Sequence, residues 1–243
     1  MQVKGTIIDL SQDIYQGMPV YPGHLKTVIW THASHEEMQR QLGTGFSYET
    51  RGIMLCDHGP THIDSVSHLS RDPDAPPVDK IPLSSCVTSA ICLNVSDVPR
   101  KAQFGRARIE AELKKGSLDI RRGDTVLFYT GHYDQFYGKP EYMTDYPGLD
   151  REATEFIIDQ GCVNFGVDSP SPDMWYDKTY PCHTVCAERQ VTHMENLCNL
   201  DKLVGKRFTF IALPLKIRGG TGSPLRPVAI LSENGDLGWN LTT

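Results

Sequence analysis

No stretch of this 243-residue chain approaches the roughly 18 consecutive uncharged apolar residues that a membrane-spanning helix requires. The opening Met1-Gln2-Val3-Lys4-Gly5-Thr6 also lacks the apolar centre of a secretory signal. A cytoplasmic protein with no membrane partner is therefore expected. Basic runs are scarce too. No Lys/Arg stretch exceeds two residues and the formal charge is −6, so phosphate backbones meet no long-range attraction and nucleic acid is not expected as a partner. Seven scattered cysteines (Cys56, Cys86, Cys92, Cys162, Cys182, Cys186, Cys198), an odd number, exclude the disulfide framework of a small secreted domain and leave free thiols. Without secretion, the sequons at Asn94 and Asn240 lose their meaning. The chain has no Gly-x-Ser-x-Gly elbow, no Gly-x4-Gly-Lys-Ser/Thr loop and no His-Glu-x-x-His helix, which removes three common routes to hydrolysis.

What is present fits one globular domain over residues 1–243, at 39% hydrophobic and 22% charged. Segments rich in Val, Ile, Phe or Thr predict strands at Thr6–Leu10, Thr88–Val95, Thr125–Thr130, Cys162–Val167 and Phe208–Leu215. Helices are predicted over Asp150–Gln160, with Gly161 as its stop, and over Ala107–Lys115, closed by Gly116. The proline-rich and aspartate-rich stretch from Arg71 to Pro82 reads as an irregular loop. Strands outnumbering interspersed helices predict an α/β domain with a mixed sheet and flanking helices.

The densest chemistry lies in His58-Gly59-Pro60-Thr61-His62-Ile63-Asp64-Ser65-Val66-Ser67-His68, a His-x3-His-x-Asp-x3-His pattern in a chain with nine histidines. Gly59-Pro60 disfavours a helix between His58 and His62. A turn there, followed by extended chain, puts His62 and Asp64 on one side of a strand and lets His58 fold back to meet them. Two imidazoles and a carboxylate form an N/O set suited to Zn2+, Mn2+ or Fe2+, and the second oxygen of Asp64 could bridge to another ion. Asp64-Ser65 reads as the cap of a short helix that sets His68 one turn away, a place suited to moving protons. His24, His32, His35 and His193 are expected to be ordinary surface or core histidines.

One turn and strand supply three ligands at most, so further ligands are sought in Cys182-His183-Thr184-Val185-Cys186-Ala187-Glu188 and Thr192-His193-Met194-Glu195-Asn196-Leu197. His183 and Glu195 stand out there. Cys182, His183 and Cys186 could instead form a structural zinc site, but a fourth ligand is lacking, and buried small hydrophobes is the better reading of the two thiols.

The chain resembles the cyclase-like metal hydrolases, a family that includes bacterial kynurenine formamidase, isatin hydrolase and trans-dienelactone hydrolase. His58, Thr61, His62, Asp64 and His68 match that family's His-x-Gly-Thr-His-x-Asp-x-Pro-x-His signature, with Pro60 and Val66 replacing its glycine and proline. The likeness extends to Ile8-Asp9-Leu10-Ser11, Gly17-Met18-Pro19-Val20-Tyr21-Pro22-Gly23, Gly166-Val167-Asp168-Ser169-Pro170-Ser171, Ala212-Leu213-Pro214-Leu215-Lys216-Ile217 and Gly222-Ser223-Pro224-Leu225-Arg226-Pro227. It implies a swivelling β/β/α fold, one or two divalent ions (Mn2+ or Zn2+), and a site completed by His183 and Glu195, which have the family's twelve-residue spacing. Chain length and Glu195-Asn196-Leu197 look closer to the isatin and dienelactone hydrolase branch.

The expected chemistry is hydrolysis by metal-activated water, with His68 carrying the proton to the leaving group. A small cyclic amide of the isatin kind is the first expectation. A linear arylformamide such as N-formylkynurenine, or a lactone, is the alternative. Aromatic and apolar residues in the Met18–Gly23 loop, with Trp30, Phe46, Tyr48, Trp175 and Tyr176, suggest a small cyclic or aromatic substrate. Trp30 and Trp175 are taken as substrate-binding, and Ser223 is added by resemblance. A homo-oligomer, dimer or tetramer, is expected.

Overall fold

In the computed structural model, residues 5–232 are described, and the sequon at Asn240 lies outside them. Nine strands build one mixed sheet: β1 (Thr6–Asp9), β2 (His62–Asp64), β3 (Val87–Asn94), β4 (Thr125–Tyr129), β5 (Asn164–Val167), β6 (Thr192–Glu195), β7 (Arg207–Ile211), β8 (Gly222–Pro224) and β9 (Val228–Leu231). Their order across the sheet is β1-β9-β7-β3-β4-β5-β6-β2-β8. Neighbours from β3 to β6 run parallel, and every other pairing is antiparallel.

Among the described residues six α-helices accompany the sheet: α1 (His35–Leu42), α2 (Val66–Leu69), α3 (Arg106–Gly116), α4 (His132–Phe136), α5 (Arg151–Asp159) and α6 (Pro181–Arg189). Parallel neighbours need a long crossover. Helices α3, α5 and α6 lie in the three connections that join β3, β4, β5 and β6.

Those crossovers explain why the central strands read as apolar runs, since both of their faces are covered. On β3, Ile91 and Leu93 pack with Val126, Phe128 and Phe165 against Ile109 of α3, Ala153 and Ile157 of α5, and Cys182 and Cys186 of α6. Ala90 and Cys92, one residue out of phase, face a second cluster with Ile63, Leu127, Met194 and Phe210. The period of two thus sorts each strand between two cores. All seven cysteines are free, and Cys182 and Cys186 serve as buried packing groups, as expected.

The predicted strands and helices all form, with shifted ends. Asp150 caps α5 by accepting from the Ala153 amide at 2.7 Å, and Gly161 beyond the helix adopts φ 97°. β7 ends at Ile211, earlier than predicted. Past it, Leu213 and Leu215 are exposed and the Leu215 amide donates to the Ser223 hydroxyl at 2.8 Å, not to a neighbouring strand. Apart from the sheet, Val28–Ala33 and Thr50–Met54 pair as an antiparallel ribbon flanking α1, a helix with no buried residue. Among the described residues no helix is long and apolar enough to cross a membrane.

Candidate active site

Two short antiparallel pairings decide which side chains converge. β2 pairs with β6 so that His62 lies opposite Glu195 and Asp64 opposite His193. Residues directly opposite in such a pair share a face. Four polar side chains therefore project together, while Ile63 and Met194 turn into the core. On the other side of β2, Gly222 of β8 faces Asp64.

The segment before β2 folds back as expected. The His58 ring lies over Gly222, where an added Cβ would sit 2.7 Å from its Cε1 and 2.9 Å from its Nδ1. His58 Nδ1 is 2.7 Å from Asp64 Oδ1, and Nε2 is 2.9 Å from Thr221 Oγ1. The Thr221 hydroxyl donates its one hydrogen to Asp57 at 2.8 Å. Thr221 must then accept from His58 Nε2–H, which leaves Nδ1 as the nitrogen that can bind a cation. His62 is set similarly: Nδ1–H donates to the Pro60 carbonyl at 2.9 Å and Nε2 faces Asp64 Oδ1 at 3.2 Å. The Gly59–Pro60 peptide bond is cis, and Val66 is the buried first residue of α2.

A methyl group at residue 222 would displace the His58 ring from both partners. Gly222→Ala is expected to weaken divalent-metal affinity by about 10–100-fold, the usual effect of disturbing a ligand's support. Competition with a chromophoric chelator measures this, and unchanged affinity would show that the ring position is immaterial.

His183 comes from α6. Its Nδ1–H donates to Asp173, a carboxylate that also accepts the Cys182 amide at 2.6 Å and the His183 amide at 3.2 Å. Asp173 thereby fixes the ring and the helix start together. The free Nε2 lies 3.8 Å from Asp64 Oδ2 and 3.7 Å from Glu195 Oε1. His193 Nε2 approaches the same two oxygens at 3.4 and 3.3 Å. Asp64 thus presents Oδ1 to His58 and His62, and Oδ2 to His183 and His193. Glu195 divides in parallel, with Oε2 3.4 Å from His62 Nε2. Burial alone would raise the pKa of Asp64. The ring nitrogens of His58 and His62 that face it, with the charge of His193, outweigh burial and hold the carboxyl well below the usual carboxylate range.

Among the described residues two groups of side chains could each hold a metal ion: His58, His62 and Asp64, and Asp64, His183, His193 and Glu195. Their neutral imidazoles and carboxylates are a donor set for Zn2+ or Mn2+, and the orientation of His58, His62 and His183 by Thr221, Pro60 and Asp173 is what ligating histidines require. The residues fit a divalent ion.

The family described as "Putative cyclase" matches residues 8–174. The chain belongs to the Cyclase family. Kynurenine formamidase of Salinibacter ruber is 28% identical over 225 residues, covering 91% of this chain and 96% of that one. Cyclase-like protein 3 of Oryza sativa is 27% identical, covering 93% of this chain and 80% of the relative. Isatin hydrolase A from Labrenzia aggregata, solved with benzyl benzoate bound, superposes with a TM-score of 0.81 at 23% identity, covering 94% of each chain. That superposition bears out the cyclase-like fold.

In this Cyclase-family chain the two candidate metal-binding groups open onto a cavity of about 450 Å3, with Met18, Tyr21, Leu25, Met143 and Tyr180 among its walls. His58, His62, Asp64, His68, His183 and Glu195 all line it, so the residues expected to bind metal or move protons are brought together. His68 stands on α2 with its ring centre 3.9 Å from that of His58 and its Nε2 3.6 Å from Asp64 Oδ2. Ser65 has the extended backbone of a cap, but its hydroxyl donates to the Thr221 carbonyl at 2.6 Å and pairs with the Ser67 hydroxyl at 2.8 Å, bonding no helix amide.

The three expected substrate contacts are not cavity-lining. Trp30 lies on the ribbon, 48% exposed, with its ring over Gly52. Trp175 is one ring behind the wall, edge-on to Tyr21 at 6.0 Å between centres. Ser223 lies opposite Ile63, on the other face from His62 and Asp64, and its hydroxyl accepts from Leu215 N and donates to the Pro224 carbonyl. Two histidines expected to be ordinary belong to the site: His24 lines the cavity, and His193 approaches both carboxylates. For His193 the signal was present, since it stands two residues before Glu195 on a strand and so shares its face.

Proposed function

We propose that the chain is a divalent-metal-dependent hydrolase of small amides, with His58, His62, Asp64, His183 and Glu195 as ligands and His68 as the proton carrier. The observation that carries this reading is the convergence of two carboxylates, each offering one oxygen to either histidine group, on the floor of a cavity with apolar walls. A bound divalent ion polarises a carbonyl and acidifies water. The protein's own part is to orient imidazole nitrogens, to keep Asp64 ionised, and to hold a neutral base beside them. Burial, with the nearby His58 and His183, pushes His68 down to about 4 although Asp64 and Glu195 pull the other way, so at pH 7 the ring has a lone pair ready for a proton.

Met18, Tyr21 and Tyr180 offer an aryl ring apolar and aromatic surface in the same cavity as the two side-chain groups. Full-length similarity to kynurenine formamidases favours an open-chain arylformamide as substrate. The cyclic amide is the second reading, supported by the superposition on an isatin hydrolase, which carries less weight because one fold hosts many chemistries. The test is a panel of N-formylkynurenine, isatin and a dienelactone, run on chelator-treated protein with and without Mn2+ or Zn2+. Metal-restored release of formate is the expected result. Absence of metal-stimulated hydrolysis across the panel rejects the proposal.

A further inference from the structure

His193 is fully buried, with its ring stacked on Phe165 at 5.6 Å between centres and 23° between planes. A histidine is a poor core filler, because an imidazole in an apolar setting must satisfy its polar atoms. Nδ1 makes no well-formed hydrogen bond, with the buried Cys186 thiol as the ring's other polar neighbour, and the contacts with Asp64 and Glu195 run through Nε2. The four contacts that His193 and His183 make to Asp64 Oδ2 and Glu195 Oε1 measure 3.4, 3.3, 3.8 and 3.7 Å. Ordinary N–H···O bonds are about 2.7–3.2 Å. Ligand atoms at about 2.0–2.1 Å around a tetrahedral ion stand roughly 3.3–3.4 Å apart. The observed spacings fall at or just beyond that edge length.

We propose that His193 is a metal ligand that closes the inner ion position from the protein side. That position then has four protein ligands, Asp64, His183, His193 and Glu195, while His58, His62 and Asp64 supply three to the outer one, a group of which Glu195 Oε2 approaches His62 alone. Only the inner group includes a residue, His193, that does not line the cavity. Four protein ligands characterise ions held permanently, and three leave room for water and substrate. The inner ion is therefore resident, and the outer position is where exchange and substrate binding occur. This division rests on the proposed metal-dependent function and adds to it a difference in affinity between the two positions.

The experiment uses Zn2+ and Co2+ alone, with no substrate. Wild-type protein, stripped and titrated against a chromophoric chelator, is expected to take two ions with distinct affinities, the first Co2+ giving the intense visible bands of a four-coordinate ion. His193→Leu and His193→Gln should weaken the tighter ion by about 100-fold or more, beyond the range of a merely supporting group, and leave the weaker one unchanged. Circular dichroism of each stripped variant shows that it is folded. If the tighter ion keeps its affinity in folded variants, or if the first Co2+ in wild-type protein gives only the weak bands of a six-coordinate ion, the proposal is overturned. The Co2+ spectrum needs no variant, so a variant that fails to fold does not remove the test. A wild-type protein that binds no divalent ion at all overturns the metal-dependent reading itself, whereas two ions unaffected by residue 193 overturn this inference alone.

Discussion

Asp64→Asn is expected to lower kcat/KM by roughly 10²–10⁴-fold and to weaken both ions together. Asp64 is the one residue common to both ligand groups. Replacing one oxygen by an amide nitrogen, and removing the negative charge, injures each position at once. Disturbing a single supporting group costs about 10–100-fold in metal affinity, so two weakened positions compound to the range above. The fold has less at stake. Asparagine keeps the volume, and its amide nitrogen can donate to the lone pair of His58 Nδ1, so the stripped variant should keep a wild-type circular dichroism spectrum. Metal analysis alongside kinetics checks the claim: activity lost while both ions remain bound at full affinity would show that Asp64 is not a shared ligand.

Asp64 also shows how far the sequence reaches. The alternation His62-Ile63-Asp64 needs only the period of a strand, and Gly59-Pro60 needs only the local preference of two residues, so this half of the site is legible without a structure. Val126, Leu127 and Phe128, like Ile91, Cys92 and Leu93, announce the central parallel strands because their crossovers bury both faces. What depends on pairing is not legible in the same way. That Ser223 turns away from the site and Gly222 turns towards it follows from the register of β8 on β2, which a single sequence does not encode locally. A one-residue slip would exchange their roles. Trp30 is not among the cavity-lining residues for a similar reason: its ribbon pairs with itself and stands apart from the nine-stranded sheet. The residues that orient the two imidazoles, Asp173 for His183 and Thr221 for His58, lie ten and 163 residues away and become visible only in the folded chain.

His68→Ala should lower kcat by about 10²–10⁴-fold, the usual contribution of a positioned acid–base group, with the content of both ions unchanged. The separation of these effects follows from geometry. His68 lines the cavity beside the ligand groups, but His58, His62, His183 and Glu195 do not depend on it for orientation, since their positions are set by Thr221, Pro60, Asp173 and the β2–β6 pairing. Its ring, neutral at pH 7, can take a proton as water attacks and return it to the departing nitrogen, so the same residue serves both halves of an amide hydrolysis. Asp64 Oδ2, 3.6 Å from Nε2, is near enough to stabilise the imidazolium while it lasts. Added imidazole should restore part of the lost rate in His68→Ala, because the deleted ring leaves space beside a cavity. Retention of full kcat with both ions bound would remove His68 from the reaction and place proton transfer on solvent or on His24, the other histidine of the wall without a place in either ligand group.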